Sequence, residues 1–362
     1  MATEVTRLGI VGCGGISHAH AGAAAAAGGA IRFVACCDVR APAARNWAAK
    51  YACDAAYADI ETMLAAEPLD GVVLATWPAH HQEHVARCLA AGAKHILCEK
   101  ALTLSGELAA TIWRQARDAR ATVIEAFMYR HHPAIARLNE LLAGGELGSL
   151  DSIRATFSVP HPEKAAADDP NRNWRQQAQL GGGVEFDLAC YALNACNHFA
   201  AARPVRVYAR GDRSATYGTI SRLHAMIEYA NGCVGAIESS GRADLSQELQ
   251  LVCAAGRLTL PIAWSIYDAI EIAEVRSTRW VAYEHRAHPV AKANSYQLQL
   301  ENFAEVIHGR AEPAMPLIES VANACTMDAV LASARSCEAV AVALPDWLAA
   351  ELQSRQTWRA PA

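Results

Sequence analysis

Apolar runs and alanine-rich stretches alternate along the first third of the chain. Leu8-Gly9-Ile10-Val11 is apolar throughout and stops at glycines, which predicts a strand buried on both faces. Ser17 to Ala27 then reads as a helix ended by Gly28-Gly29, and Ile31 to Cys37 as a second strand closing on Asp38. Pro42 to Tyr51 is helical, with proline in its first turn. Gly71 to Thr76 predicts another buried strand, followed by a helix to Ala91 and a strand over His95 to Cys98. Thr103 to Arg120 reads as helix and Ala121 to Ala126 as strand. This alternation implies a doubly wound parallel sheet spanning residues 1–126.

From Ser149 the pattern changes to strands separated by turn signals. They cover Ser149 to Val159, Val205 to Arg210, Leu223 to Tyr229, Cys233 to Ser239, Glu248 to Cys253 and Arg257 to Leu260. Asn231-Gly232 between two of them is a hairpin signal. Helices are expected at Phe186 to Phe199, Tyr296 to His308 and Ile318 to Ala341. The expectation for residues 127–362 is an α+β domain on an open, mainly antiparallel sheet, with the boundary near Glu125 to Tyr129. The polar loop from Pro160 to Gln179, carrying Asp168-Asp169-Pro170, has a length often used for function.

Composition narrows the classes. With 362 residues and 52% hydrophobic content the chain can bury two cores. A net charge of −5 leaves no electrostatic footprint for nucleic acid or an anionic membrane surface. No apolar span reaches membrane length, and the start, Met1 to Arg7, lacks a secretory layout; both point to the cytoplasm. Twelve scattered cysteines without a Cys-x-x-Cys read as small buried hydrophobes in a reducing compartment. His80-His81-x-x-His84 and His131-His132 lack a carboxylate or cysteine to complete a ligand set, so no metal is expected.

At the first strand–helix turn lies Gly12-Cys13-Gly14-Gly15-Ile16-Ser17, a Gly-x-Gly-x-x-Gly pattern with serine last. Gly12 permits the tight turn and Gly14 a close backbone approach to a pyrophosphate. Ser17 permits close helix–strand packing, and the helix start supplies amide donors. Asp38, at the end of the second strand, can accept both ribose hydroxyls of NAD and repel a 2′-phosphate. Arg40 pulls the other way, because a guanidinium grips such a phosphate. NAD is the expected cofactor, with NADP left open.

Two places gather polar groups in apolar surroundings. Glu99-Lys100 sits at the C-terminal end of a parallel strand, where doubly wound sheets bind ligands. The run Gly181-Gly182-Gly183 leads into a helix on which Asp187 and Tyr191, four residues apart, share a face. A lysine, aspartate and tyrosine converging on nicotinamide would relay the proton of a substrate hydroxyl. An ordinary polar helix face is the alternative for Asp187 and Tyr191.

Together, Gly12-x-Gly-x-x-Ser17, Glu99-Lys100, Gly181-Gly-Gly-x-x-x-Asp187-x-x-x-Tyr191 and Tyr296 to Phe303 resemble the Gfo/Idh/MocA oxidoreductases over nearly the whole chain. The resemblance implies a Rossmann domain, catalytic roles for Lys100, Asp187 and Tyr191, and a second sheet serving as substrate face and oligomer interface of a homodimer or homotetramer. Cofactor contacts are expected from Gly12, Gly14, Gly15, Ile16, Asp38, Val39, Arg40, Thr76, Trp77, His81, Glu99, Lys100, Trp174 and Arg175, with Tyr129, Arg130 and Asn173 at the substrate. Tyrosine at 191, the segment Glu125 to Pro133 and Asn173-Trp174-Arg175 are similar to the aldose (xylose-type) and dihydrodiol dehydrogenase branch. Two departures stand out. Thr76-Trp77-Pro78 replaces the usual Thr-Pro-Asn, and Glu99-Lys100-Ala101 the usual Glu-Lys-Pro. The family proline commonly follows a cis bond; before alanine such a bond costs about 2.5–4 kcal/mol, so a trans link is expected here. The expectation is hydride transfer between nicotinamide and a sugar or polyol carbon. Trans-dihydrodiol oxidation and a catalytically silent dinucleotide-binding regulator are the alternatives.

Overall fold

A computed structural model of the chain describes residues 5–161, 173–279 and 282–354. Asp168-Asp169-Pro170 of the expected polar loop lie outside the described residues. The chain divides into two compact units.

The first unit takes residues up to His131 together with Asn294–Val321. Its sheet is parallel throughout, in the order β3-β2-β1-β4-β5-β6. The strands are β1 (Thr6–Val11), β2 (Ile31–Cys37), β3 (Ala55–Tyr57), β4 (Gly71–Leu74), β5 (His95–Glu99) and β6 (Thr122–Ala126). The order reverses between β1 and β4, the switch point at which such sheets open a crevice for ligands. The uniformly apolar runs make this sheet because helices cover both of its faces: α1 (Ser17–Ala26), α2 (Ala41–Tyr51), α4 (His81–Ala90) and α5 (Gly106–Ala119). Edge strand β3 and helix α3 (Ile60–Ala66) escaped the sequence pattern because three and seven residues are too short to show a period; Asp59 starts α3 by accepting the Thr62 amide at 2.8 Å.

Leu8, Ile10, Val73, Leu97 and Ile124 form the centre of one core, with Trp47 edge-on to Phe33. Helix α8 (Ser295–Ile307), which the sequence pattern placed with the second half, packs on α1 and adds Leu300, Phe303 and Val306 to this core. The alanine-rich composition of α1 lets a second helix come close. Asn294 caps α8 by accepting the Tyr296 and Gln297 amides.

The second unit runs from His132 to Ala293 and resumes at Ala322. It holds a nine-stranded sheet in the order β14-β13-β12-β11-β7-β10-β9-β8-β15. Its strands are β7 (Leu150–Ser158), β8 (Pro204–Arg213), β9 (Ile220–Tyr229), β10 (Val234–Ser240), β11 (Leu249–Cys253), β12 (Gly256–Leu260), β13 (Ile270–Arg279), β14 (Ala282–Val290) and β15 (Val340–Ala341). Every pairing is antiparallel except that of β7 with β10. Strand β9 shows the period of two: Leu223, Ala225 and Ile227 are buried, while His224, Met226 and Glu228 face solvent. The Asn231-Gly232 hairpin forms as predicted, with Gly232 at φ +86°. β13 and β14 were not expected, because Glu271, Glu274, Arg276, Glu284 and Arg286 break any apolar run.

Helices α6 (Pro133–Ala143) and α7 (Cys190–Ala200) complete this unit, and α7 lies on β7 and β10. Helix α9 (Leu317–Ser336) stops five residues before the expected Ala341. Cys337 takes a left-handed φ of +60°, and Val340-Ala341 then pairs with β8. The chain closes with α10 (Asp346–Ser354). All twelve cysteines are free thiols, ten of them buried. Among the described residues, no helix is long and apolar enough to cross a membrane.

Candidate active site

In the first unit the glycine turn follows β1 directly. Gly12 has φ +92° and donates to the Cys37 carbonyl at 2.8 Å; a Cβ there would sit 2.6 Å from the Ala75 carbonyl oxygen. The fold itself therefore requires that glycine. Gly14 and Gly15 differ: a Cβ on either meets nothing within 4 Å, and neither has a positive φ. Their bare backbone leaves open space at the start of α1. Ser17 closes the turn by donating its hydroxyl to the Gly14 carbonyl at 2.5 Å, and Ile16 gives α1 no side-chain cap.

Asp38 lies beside this turn, largely buried. Its Oδ2 accepts the Cys13 amide at 3.0 Å and its Oδ1 the Arg40 amide at 2.9 Å, so two backbone bonds fix the carboxylate. The Arg40 side chain is 72% exposed and only grazes Oδ1, at 3.3 Å; Val39 is exposed as well. An anion-accepting turn open at Gly14 and Gly15, with a fixed carboxylate beside it, fits the pyrophosphate and adenosine ribose of a dinucleotide.

The ends of β4 and β5 carry the next candidates. Trp77 stays 41% exposed with its ring near His80. His81 is fully buried, its Nδ1 3.0 Å from the Ala101 carbonyl and its Nε2 3.0 Å from the Thr76 carbonyl. The ring ties two loop ends together, and burial lowers its pKa. The Thr76 hydroxyl pairs with His84 at 3.0 Å. Glu99 turns inward: Oε1 meets His20 Nε2 at 2.8 Å, and Oε2 accepts the Lys100 amide at 3.2 Å. The Lys100–Ala101 peptide is cis, which corrects the trans expectation. Bonds on both sides hold the turn, with Ala101 O at His81 and Leu102 N donating to Glu125 at 2.7 Å. Tyr129 and Arg130, expected near substrate, are buried in this unit. The 3-10 turn Met128–His131 directs Arg130 to the Glu319 carboxylate at 3.0 Å and to the Ala314 carbonyl.

In the second unit the Gly181-Gly182-Gly183 run carries the turn Trp174–Gln176. A Cβ on Gly182 would meet the Trp174 carbonyl oxygen at 2.5 Å, and Gly183 N donates to the Arg175 carbonyl at 2.8 Å. Asn173 caps that turn through the Arg175 amide, and the Arg175 guanidinium lies 5.0 Å from the Trp174 ring centre. From there Arg175 Nε donates to Asp187 Oδ2 at 2.6 Å. His161 Nε2 approaches the same oxygen at 3.7 Å. Asp187 falls within a π-helical turn, Glu185–Ala189, that leads into α7; the expected helix thus begins with a wider turn. Tyr191 is 6% exposed, edge-on to Phe157 at 5.3 Å and tilted against Trp264 at 6.1 Å. Glu185 is buried too, and burial pushes its carboxyl up to about 8.

Asn173, Trp174, Arg175, Asp187 and Tyr191 thus share one unit, and the glycine turn, Asp38, Thr76, Trp77, His81, Glu99 and Lys100 share the other. The sequence reading overlooked His20, Glu125, His161, Glu185 and Trp264. Glu125 was visible as a lone acid inside an apolar run and Glu185 as a second acid two residues before Asp187, whereas the others carry no local signal.

Comparison with known proteins agrees with this architecture. The oxidoreductase family with an NAD-binding Rossmann fold matches residues 6–127, and the GFO/IDH/MocA C-terminal domain matches residues 135–259. The chain is 33% identical to D-xylose 1-dehydrogenase (NADP(+)) 2 of Haloferax volcanii over 79% of its own length and 84% of that enzyme's. It is 27% identical to the trans-1,2-dihydrobenzene-1,2-diol dehydrogenase of Bos taurus, over 76% of this chain and 81% of that one. The solved structure of a levoglucosan dehydrogenase in complex with NADH has the same fold, with a TM-score of 0.83 at 20% identity, covering 94% of this chain and all of the other. The glycine turn, the two sheets and these matches place the chain in the Gfo/Idh/MocA family of nicotinamide-dependent oxidoreductases.

Proposed function

We propose that the chain is a sugar or polyol dehydrogenase in which Tyr191 is the acid/base, assisted by Lys100 and Asp187. Oxidation removes a hydride from the carbinol carbon and a proton from its oxygen, leaving a carbonyl; ketosugar reduction is the reverse. Bound nicotinamide supplies the hydride acceptor. The proton passes to Tyr191 as phenolate, and the positive charge of Lys100 favours that phenolate. Asp187, held by Arg175, orients the substrate hydroxyl. The observation that carries this reading is the second unit's arrangement: a glycine turn presses Arg175 onto Asp187 one helical turn before the largely buried Tyr191.

On the cofactor, Gly12, Gly14, Gly15 and Ile16 hold the pyrophosphate, and Asp38 selects NAD through the ribose hydroxyls. Arg40 is the residue through which NADP would be accepted. Oxidation of a trans-dihydrodiol is a second reading, favoured by the aromatic wall of Phe157 and Trp264 around Tyr191 and by the similarity to the bovine enzyme.

The test is turnover of purified protein on aldoses, inositols and dihydrodiols with NAD and NADP, repeated on Tyr191→Phe. General acid–base catalysis contributes about 10²–10⁴-fold, so kcat should fall by that factor while NAD affinity and melting temperature hold. A kcat within a few-fold of wild type moves the acid/base role elsewhere.

A further inference from the structure

The short turn after β5 is tied down by more charge than its geometry requires. Two of its amides end on buried carboxylates: Lys100 N donates to Glu99 Oε2 at 3.2 Å, and Leu102 N to Glu125 Oε1 at 2.7 Å. The carbonyl between them, on Ala101, faces the His81 ring. Glu125 comes from β6, where the parallel register sets it beside Cys98 and sets Ala126 beside Glu99. Only 3% of Glu125 is exposed, and its Oε2 is sealed in, with the Ser320 hydroxyl of α9 outside hydrogen-bond geometry.

A neutral acceptor would satisfy the Leu102 amide equally well. Burying a second carboxylate beside Glu99 costs desolvation and like-charge repulsion, which a purely structural anchor has no reason to incur. Lys100 is the cation of this turn, and its charge favours the ionised form of Glu125. Nearby, His20 meets Glu99 and Arg130 meets Glu319.

We propose that Glu125 is a positioning residue of the reaction: it fixes the Lys100–Leu102 turn through the Leu102 amide and sets the charge carried by Lys100. The inference rests on the role given to Lys100 above. Burial, reinforced by the charge of Glu99, pushes Glu125 up to about 7, while the nearby Ser320 hydroxyl, the bond from the Leu102 amide and the charge of Lys100 act in the opposite direction. As a carboxylate Glu125 supports the ammonium; as an acid it withdraws that support. Turnover should then follow Glu125 across neutral pH.

Two measurements on the full-length, cofactor-free protein test this. In the first, Lys100 is acetylated with trace acetic anhydride across pH and read by mass spectrometry. An opposite charge nearby shifts a pKa by about one unit or more, so Glu125→Gln should lower the Lys100 midpoint by that amount. The second needs no change at Glu125. In Glu185→Gln protein with ¹³C-labelled glutamate carboxyls, which leaves Glu125 as the raised buried carboxyl, that carboxyl should titrate near neutrality and move upward in Lys100→Met, because the coupling is reciprocal. An unmoved Lys100 midpoint, or a neutral-range carboxyl indifferent to Lys100→Met, overturns the assignment of Glu125 even if Lys100→Met abolishes turnover. Coupling that persists while Lys100→Met keeps full turnover overturns the role of Lys100 instead, and with it the place of Glu125 in the reaction.

Discussion

Replacing Glu185 by glutamine removes an ionisation that the second unit tolerates poorly. The carboxyl opens the π turn before α7 and is buried against Gly183, whose missing side chain leaves it room; Arg213 is the cation that partly offsets it. The folded chain keeps the proton up to about pH 8, whereas an unfolded chain releases it near the ordinary value of 4.5. Between those values the folded state binds more protons, so stability must fall as pH rises through that window. At about 1.4 kcal/mol per unit, the rise from 4.5 to about 8 amounts to about 5 kcal/mol. Glutamine cannot ionise and lacks this slope. Urea unfolding of wild type and Glu185→Gln, in steps from about pH 5 to about pH 9, isolates it, since every other titrating group cancels in the difference. The variant should gain on the wild type with each step and level off above pH 8. Parallel curves would show that Glu185 ionises normally and refute the argument.

Four further outcomes follow from the first unit and the second sheet. Asp38→Ser should raise NADP use relative to NAD, measured as the ratio of kcat/KM values; a wild type that already prefers NADP strongly contradicts the role given to Asp38. Gly12→Ala should lower the cofactor-free melting temperature, at a cost of about 1–3 kcal/mol for a strained backbone, because its Cβ meets Ala75 O. Gly14→Ala should leave that temperature alone and weaken NAD binding in calorimetry; wild-type affinity would mean that the open space above Gly14 is not the cofactor's. The solvent face of the second sheet exposes Tyr208 and Met226, so light scattering should find a dimer or larger assembly, and a monomer at micromolar concentration would refute this.

How much of this was legible depended on how local the signal was. The buried strands of the first unit announce themselves as apolar runs, and Gly12 to Ser17 with Asp38 marks a nucleotide turn without any tertiary knowledge. Strands β13 and β14 gave no such sign, since their stability comes from pairing with each other and with β12 rather than from an apolar face. Asp187 and Tyr191 were found by helical spacing, yet the Arg175 bond that fixes Asp187 depends on a chain reversal over Gly182 that no periodicity encodes. Tyr129 and Arg130 were expected at the substrate from a local segment; the structure buries both, and the Glu319 that pairs Arg130 lies almost two hundred positions away, beyond any local signal.

The docking of α8 on α1 has a bearing on how the chain is made. Leu300, Phe303 and Val306 belong to the same core as Leu8 and Ile10, yet they leave the ribosome only after strands β7 to β14 of the second sheet have been synthesised. Until then the alanine-lined side of α1 has no cover, and the nascent nucleotide unit carries an open apolar groove. A gene cut at the expected domain boundary near Tyr129 would therefore yield an N-terminal fragment that clumps instead of a free-standing nucleotide domain. Translation through position 307 becomes the step at which that half can first close.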